Sequence, residues 1–558
     1  MTAAAIAMTS AEPGVLAVEP PLDGSALRET DWDRSCDVLV VGLGAAGGAA
    51  AIAAKEAGAD VVVAERFDGG GATIKSGGIV YLGGGTRIQK EAGVDDTPQA
   101  MFDYLRQECG DAVSEATLRA FCDDSRALLD WLESIGVQFR ANPNPPKTSY
   151  PRNGTYYYYS GNEAVPAYAA KAKPAARGHR VMAPGIDSGR ELYRALERRV
   201  AALGIPVLRQ TAARRLITDA QGAVIGAELY QLADGSAAQR EHQRLMRKAE
   251  KVHDFAGGWA DRLRAQAAEI EQQHAKRLRV RARRGVVLTT GGFVFNRTLL
   301  RAVAPQYLPA MRLGATGCDG SGIRLGASVG GQCARMHKVS AWRFINPPTA
   351  WPKGIVVGPD GERFCNEQVY GARLGVDMVE KAGGRAWLIL DRRLRRAALR
   401  EALFGRLWFF QSVPALFLML FAPRARTPEA LAEKLGMPAE ALRRTLDDYN
   451  ACADGSRMDA LGKSVDMRAR LDAPPYYALD ISAGSKTFPC PTITLGGLAV
   501  DERSGLVRRD DGSTIAGLYA AGRTAVGVAS NGYVSGLSLA DCLWSGRRAG
   551  RHAATRTD

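Results

Sequence analysis

Residues 37–65 read DVLVVGLGAAGGAAAIAAKEAGADVVVAE. The first five residues are apolar and mostly β-branched after Asp37, which suits a buried parallel strand. Gly42-Leu43-Gly44-Ala45-Ala46-Gly47 follows, then an alanine-rich helix that ends at Gly58. A second apolar strand ends in Glu65. Strand, glycine turn, helix, strand and acid in this order form a complete dinucleotide-binding fingerprint. Gly42 permits the tight turn. Gly44 lets the backbone approach a pyrophosphate, and Gly47 lets the helix pack closely on the strand. The first-turn N–H groups at Ala45 and Ala46 present positive potential to phosphates. Glu65 lies where a carboxylate hydrogen-bonds an adenosine ribose, about 20 residues on, and Arg66 beside it joins the expected nucleotide contacts.

The fingerprint alone does not separate FAD from NAD. The next segment, GGGATIKSGGIVYLGGG at 69–85, reads as an extended loop lying along a long ligand. It offers Gly71, Ala72, Thr73, Ser76, Gly77 and Gly78 as contacts. Far downstream, GLYAAGRTAVGVASNGYVSG at 517–536 holds a short strand at Leu518–Ala520, then Gly522. A helix follows Gly536, with Leu537 and Ser538 at its start. Two such distant glycine-rich segments suit FAD, which spans the sheet.

Glycine supplies 62 of 558 residues, about 11% against an average near 7%. Apolar residues make up 46% and charged residues 24%, an ordinary globular composition. The net charge is +14, but basic residues are spread along the chain without aromatic interleaving, which argues against nucleic acid. The nine cysteines include no CxxC pair, and three of the six histidines fall in one charged stretch, so no metal site is expected. The N-terminus lacks a basic region and a sustained apolar run, so a cytoplasmic location is expected.

Several segments in order resemble one known group: GLGAAG with Glu65, GGGATIKSGG, GVVLTTGGF at 285–293, GERFCNE at 361–367, TLGGLAVDE at 494–502 and GLYAAGR at 517–523. The chain is similar to the flavoproteins that include fumarate reductases, succinate dehydrogenase flavoprotein subunits and 3-ketosteroid dehydrogenases. The resemblance covers about 36–550. It implies an α/β fold: a bipartite Rossmann-type FAD-binding domain with an inserted α+β cap domain. The expected organisation is a flexible leader at 1–34 and an N-terminal FAD-binding section at 35–296, with a helical insertion at 237–283. A cap follows at 297–470, and a C-terminal FAD-binding section at 471–558. The pair RRLITDAQGAVIGAELY at 214–230 resembles the hairpin after the turn that meets adenine, near Ala213. Thr290 and Gly291 of GVVLTTGGF join the implied FAD contacts. The FAD is expected to be noncovalent.

Within this group, dicarboxylate enzymes hold their substrate with Arg and His. Here the corresponding stretches read TITLGG at 492–497, ASNGYVS at 529–535 and QVYG at 368–371. Each change runs from ionisable to neutral, and a buried carboxylate needs a compensating cation. The expected substrate is therefore a neutral, largely apolar ketone. This pattern resembles the 3-ketosteroid dehydrogenases, and the Tyr533–Ser535 triplet resembles their Δ4-(5α) branch. Tyr370, Tyr533 and Ser535 are the implied hydroxyl cluster that removes the C4 proton as hydride leaves C5 for flavin N5. Tyr477 sits where Δ1 enzymes keep a carbonyl-polarising tyrosine, with packing as its ordinary alternative. The readings left open are a Δ1-dehydrogenase, an ene-reductase acting on an unsaturated ketone or fumarate-like substrate, and a flavin-binding protein without turnover. An external electron acceptor is implied.

RNGTYYYYSG at 152–161 reads equally as an aromatic pocket wall or as cap packing. Residues 392–424 join an arginine-rich stretch to LWFFQSVPALFLMLFAPR. The apolar part is roughly 16 residues, short of the about 20 a spanning helix needs. It suits either a buried helix or a peripheral contact with the inner face of an anionic membrane.

Overall fold

The computed structural model describes Ile6, Glu12 and residues 14–556. The fingerprint folds as expected: strand Arg34–Val41, helix Ala45–Glu56 and strand Val61–Glu65, the two strands parallel and in register. Val207–Arg209 extends the sheet on one side. On the other side Lys276–Leu288 lies parallel to Arg34–Val41, and Thr514–Ala520 lies parallel to Lys276–Leu288. Strands from both ends of the chain thus share one nine-stranded sheet.

Lys276–Leu288 does two jobs. Its first half pairs antiparallel with Val224–Gln231, and its second half joins the parallel strands. A register shift between Ala282 and Gly285 marks the change. RLRVRARR at 277–284 belongs to this strand, so the expected helical insertion to 283 ends earlier. The helices are Ala237–Val252 and Gly257–His274. Val280 and Ala282 are buried while the arginines between and beside them are not, which is the two-residue period of a strand. The segment at 69–85 also differs from an extended loop. It contains helix Gly71–Lys75 and strand Ile79–Tyr81, and Thr73 Oγ1 accepts from Ala45 N at 2.9 Å.

The leader is docked from Gly14 onward. Leu16 N donates to Asp319 at 2.9 Å, and Leu22–Asp23 pairs with Ile217–Thr218. Residues 1–5, 7–11 and 13 lie outside the described residues. The second layer is a four-stranded antiparallel sheet of Ile355–Val357, Trp387–Leu390, Tyr476–Asp480 and Arg424–Ala425. It takes one strand from beyond the cap boundary expected at 470. Helices Arg392–Phe404 and Phe409–Phe421 pack on it.

The N- and C-terminal sections of the dinucleotide domain close through helix Leu537–Thr555 against Ala45–Glu56. A Cβ at Gly546 would stand 2.3 Å from Ala46 O, and one at Gly550 would stand 2.1 Å from Ala50 O. Only backbone fits there. Gly550→Ala should therefore destabilise the protein by about 1–3 kcal/mol through overpacking and lower its flavin content. Thermal unfolding and the flavin absorbance of the purified variant check this; an unchanged midpoint removes the constraint.

Candidate functional site

The cofactor cradle is built where a side chain has no room. A Cβ at Gly47 would stand 1.8 Å from Gly42 O, and Gly42 itself has φ +100°. Gly44 caps helix Ala45–Glu56 without a side-chain bond, so with Ala45 N taken by Thr73 Oγ1 the first-turn N–H groups of Ala46 and Gly47 face the helix end. Gly71 and Gly78 take positive φ, and Ser76 Oγ braces the loop by donating to Thr73 O at 2.7 Å and accepting from Gly78 N at 3.2 Å. Gly77 lies exposed between them, and Ala72 packs near Cys318. Thr290 Oγ1 accepts from Gly322 N at 3.0 Å, and Gly291 N donates to Thr524 Oγ1 at 3.0 Å, tying the two sections together. A Cβ at Gly522 would meet the Ala46 Cβ at 2.9 Å. Gly536, with φ +91°, starts helix Leu537–Thr555, with Ser538 in its first turn. Ala213 is buried in strand Thr211–Thr218.

Two expected contacts are committed differently. Glu65 is buried, and its carboxylate oxygens accept from Leu43 N at 2.7 Å and Phe67 N at 2.8 Å. It stitches the glycine turn to the following loop, and its remaining lone pairs are what a ribose would meet. Burial pushes its carboxyl pKa up against these two amides. Arg66 points to Glu271 and Asp319, at 3.0 and 2.9 Å, so its guanidinium is already bound by carboxylates.

Arg523, inside GLYAAGR but not singled out from sequence, is the cation of the cradle. Its Nη2 donates to Cys318 Sγ at 3.2 Å, and its Nη1 is buried with no hydrogen-bond partner among the described residues. Cβ atoms built at Gly291 and Gly292 would stand 3.7 and 3.5 Å from this group. An unfilled buried guanidinium, two glycine-opened helix ends and loops without side chains fit a phosphate-bearing dinucleotide.

Above the cradle the structure gathers Tyr370, Tyr533 and Ser535. Tyr370 caps helix Gly371–Ala382, and its N donates to Asn162 Oδ1 at 2.6 Å. Its hydroxyl lies near Ser535. Ser535 Oγ also stands 3.4 Å from the Tyr158 hydroxyl, and Ser160 holds the Ser535 backbone from both sides, at 3.2 and 3.0 Å. Tyr533 lies over Trp342 with centroids 4.8 Å apart. Phe344 packs on Tyr370 at 5.2 Å, and Tyr150 meets Phe344 edge-on at 5.4 Å. Tyr158, from RNGTYYYYSG, is fully buried beside Ser535, and Tyr157 next to it is buried with its hydroxyl on Ala176 O.

Tyr477 does not join them. It lies on cap strand Tyr476–Asp480, opposite Leu390 and Arg424, under the Arg395 guanidinium at 4.5 Å. Its ring is part of the cap core.

Burial pushes the Tyr370 hydroxyl well above the usual tyrosine range and raises Tyr158 and Tyr533 as well. Tyr150 is pushed up to about 12 by the same cause. The cations that oppose this are Arg180, toward Tyr158, and Arg523, toward Tyr533. Neighbouring arginines are occupied elsewhere. Arg343 donates to the Phe488 and Ser482 carbonyls at 2.7 and 2.9 Å, and Arg335 to Asp111 and Asn531, both at 2.9 Å. Thr494, in TITLGG, accepts from Phe293 N at 2.9 Å.

GERFCNE is an anchor for the Tyr370 loop. Glu367 is fully buried, 2.7 Å from Arg363 and 3.1 Å from Lys463, and it accepts from Val356 N at 2.9 Å. Arg363 also meets Asp459 at 2.6 Å. Burial opposes the charge on Glu367, but Lys463 and Arg363 hold its carboxyl below the usual range.

A family model described as "FAD binding domain" matches residues 37–539. A Comamonas testosteroni protein named 3-oxo-5-alpha-steroid 4-dehydrogenase is 43% identical over 523 residues, covering 90% of this chain and 95% of that one. The solved 3-ketosteroid-delta4-(5alpha)-dehydrogenase of Rhodococcus jostii RHA1, in complex with 4-androstene-3,17-dione, superposes with TM-score 0.80 and 30% identity. It covers 96% of this chain and all of its own. The 3-ketosteroid delta1-dehydrogenase of Sterolibacterium denitrificans shares the fold, with TM-score 0.65 and 20% identity over 93% of this chain and 99% of that one.

Removing one partner of the GERFCNE cluster leaves a buried charge uncompensated. Arg363→Ala should cost about 3–5 kcal/mol, read as a shifted denaturant midpoint. A midpoint equal to the parent's would show that the cluster is not an anchor.

Proposed function

The chain belongs to the FAD-binding-domain family, and from that premise we propose that it is an FAD-dependent dehydrogenase that introduces the 4,5 double bond into a 3-ketosteroid. One observation carries this reading: hydroxyls and aromatic rings are gathered at the site, while Arg335 and Arg343 are bonded elsewhere and no arginine among the described residues makes a hydrogen bond to these hydroxyls. Such a site favours a flat neutral ketone over a dicarboxylate. The name of the Comamonas relative and the ligand of the Rhodococcus structure support the same substrate class.

The 3-oxo group acidifies the adjacent C4–H. A hydroxyl of the Tyr370–Tyr533–Ser535 group, in its ionised form, takes this proton. When bound, FAD supplies the hydride acceptor, and an external electron acceptor completes turnover. The Δ1 reading needed Tyr477 at the substrate carbonyl, and its place under Arg395 in the cap core gives it no support.

Anaerobic addition of a saturated 5α-3-ketosteroid should bleach the flavin band and yield a product lighter by one hydrogen molecule. No bleaching would defeat the dehydrogenase reading. Re-oxidation by an enone alone would favour the reductive direction. Tyr370→Phe and Ser535→Ala should each lower kcat by about 10²-fold or more while keeping bound FAD; full turnover in both would remove the assignment. Because burial raises these phenols, the ionised fraction grows about tenfold per pH unit below the pKa. The kcat of the parent should still be rising at about pH 10. A plateau near neutrality would point to another base.

We further infer a peripheral membrane contact. Among the described residues no helix is long and apolar enough to cross a membrane. Helix Phe409–Phe421 nevertheless leaves Phe409, Val413, Phe417, Leu420 and Phe421 exposed along one face, with Phe404 beside them. Arg396, Arg400, Arg406 and Arg424 lie exposed around it, a composition suited to anionic lipid. Trp408 and Phe410 face inward instead: Trp408 Nε1 donates to Pro151 O at 3.1 Å, and Phe410 meets Tyr150 at 5.2 Å. The start of this helix therefore carries exposed Phe409 on one side and packs on Tyr150 of the aromatic cluster on the other, a short path for a lipophilic substrate. Vesicles containing anionic lipid should sediment the parent, and substituting serine at Phe409, Phe417 and Phe421 should release it. Equal sedimentation of the two proteins rejects the contact.

A further inference from the structure

Helices Ala237–Val252 and Gly257–His274 interrupt a hairpin that has no need of them. Val224–Gln231 and Lys276–Leu288 are antiparallel partners, with Gln231 opposite Lys276, so a short turn would close the pair. The chain instead spends residues 232–275 on a helical pair with its own small core of Leu245, Met246, Ala249, Ala260, Leu263 and Ala267. Phe67, two residues beyond Glu65, packs into that core. Some contacts of this pair hold Arg312 and Thr316, and others reach both sides of the nucleotide end of the cradle.

On one wall, Glu271 takes the Arg66 guanidinium in a fork, at 3.0 and 3.1 Å. Arg247 meets Asp68 at 2.7 Å, and Glu250 pairs with Lys75. Arg66, Phe67, Asp68 and Lys75 all belong to the loop that runs from the ribose-side acid to the phosphate-side helix. On the other wall, His242 hydrogen-bonds Gln210, next to the start of strand Thr211–Thr218, where the sequence predicts a turn. His242 Nε2 stands 2.9 Å from the same Glu271, and the ring stacks on Phe67 with planes 5° apart. Gln210 Nε2 then reaches Asp68 at 3.2 Å. Glu271 is buried, yet Arg66 and His242 keep its carboxyl at about 2, so this junction stays ionic across the working pH range.

We propose that the helical pair 237–274 is a clasp for the AMP half of FAD: by pinning the Arg66–Lys75 loop to Gln210 through His242 and Glu271, it slows cofactor release. The clasp touches protein on both sides of the nucleotide, so it governs retention and leaves the chemistry of the flavin end untouched. It rests on the family's cofactor and not on the steroid reading.

The test is the rate at which purified holoenzyme loses FAD on dilution, followed by recovery of free-flavin fluorescence. Three proteins are compared with the parent: Glu271→Gln, His242→Phe, and a chain in which an Asn-Gly turn replaces 232–275. His242→Phe keeps a ring against Phe67 and removes both hydrogen bonds. The expected result is release about tenfold faster in the shortened chain and severalfold faster in the two point variants. Excess FAD should restore the parent flavin spectrum in each. Release at the parent rate in the folded point variants would overturn the clasp, and these two decide the matter if the shortened chain fails to fold. A parent chain that takes up no FAD would instead overturn the cofactor assignment beneath it.

Discussion

Two helices that begin nearly 500 residues apart in sequence must touch backbone to backbone before this protein has a site at all. Ala45–Glu56 and Leu537–Thr555 meet at Gly546 and Gly550, where the facing carbonyls leave no space for even a methyl group. That approach brings Gly522 against Ala46 and Thr524 against Gly291, and so sets Arg523 beside the cradle. The glycine richness seen in composition is spent largely on such contacts. A cofactor embedded between the N- and C-terminal sections would itself bridge them, so folding and cofactor binding are coupled by the same interface.

The same closure organises the hydroxyl cluster. Ser535 and Tyr533 sit just before helix Leu537–Thr555, so their position follows from its docking. Tyr158 comes from a strand of the small sheet, and Ser160, two residues beyond it, clips the Ser535 backbone. Tyr370 arrives from the cap, fixed at a helix start by Asn162 on one side and by the GERFCNE ion cluster on the other. Three segments with no sequence proximity therefore converge through ordinary backbone anchoring.

What is legible in the sequence follows period and local chemistry. The dinucleotide fingerprint and the hairpin at 211–231 can be read because strand, turn and helix signals are local there. Tyr370, Tyr533 and Ser535 can be read by resemblance, since their motifs travel with them. RLRVRARR reads as helix because an arginine-rich alternation looks like a solvated face until a partner strand is known. The docking of 14–33 is hidden for a similar reason: single contacts such as Leu16 with Asp319 leave no pattern. Tyr477 is misplaced by resemblance because its function depends on which side of a cap strand meets the cavity, and the strand turns that ring to Arg395. Arg523 is visible in GLYAAGR, but nothing in the sequence says that one of its nitrogens is buried without a partner.

The burial that makes the pocket suitable for an apolar ketone also works against its base. Each phenol there is pushed above its ordinary range because water is excluded from it. A single such hydroxyl is a weak proton acceptor near neutrality. Arg180 beside Tyr158 and Arg523 beside Tyr533 counter part of that shift, because each favours the ionised phenol. A phenol there takes up a proton only from its ionised form, so these two arginines can supply a base without placing a carboxylate in the wall.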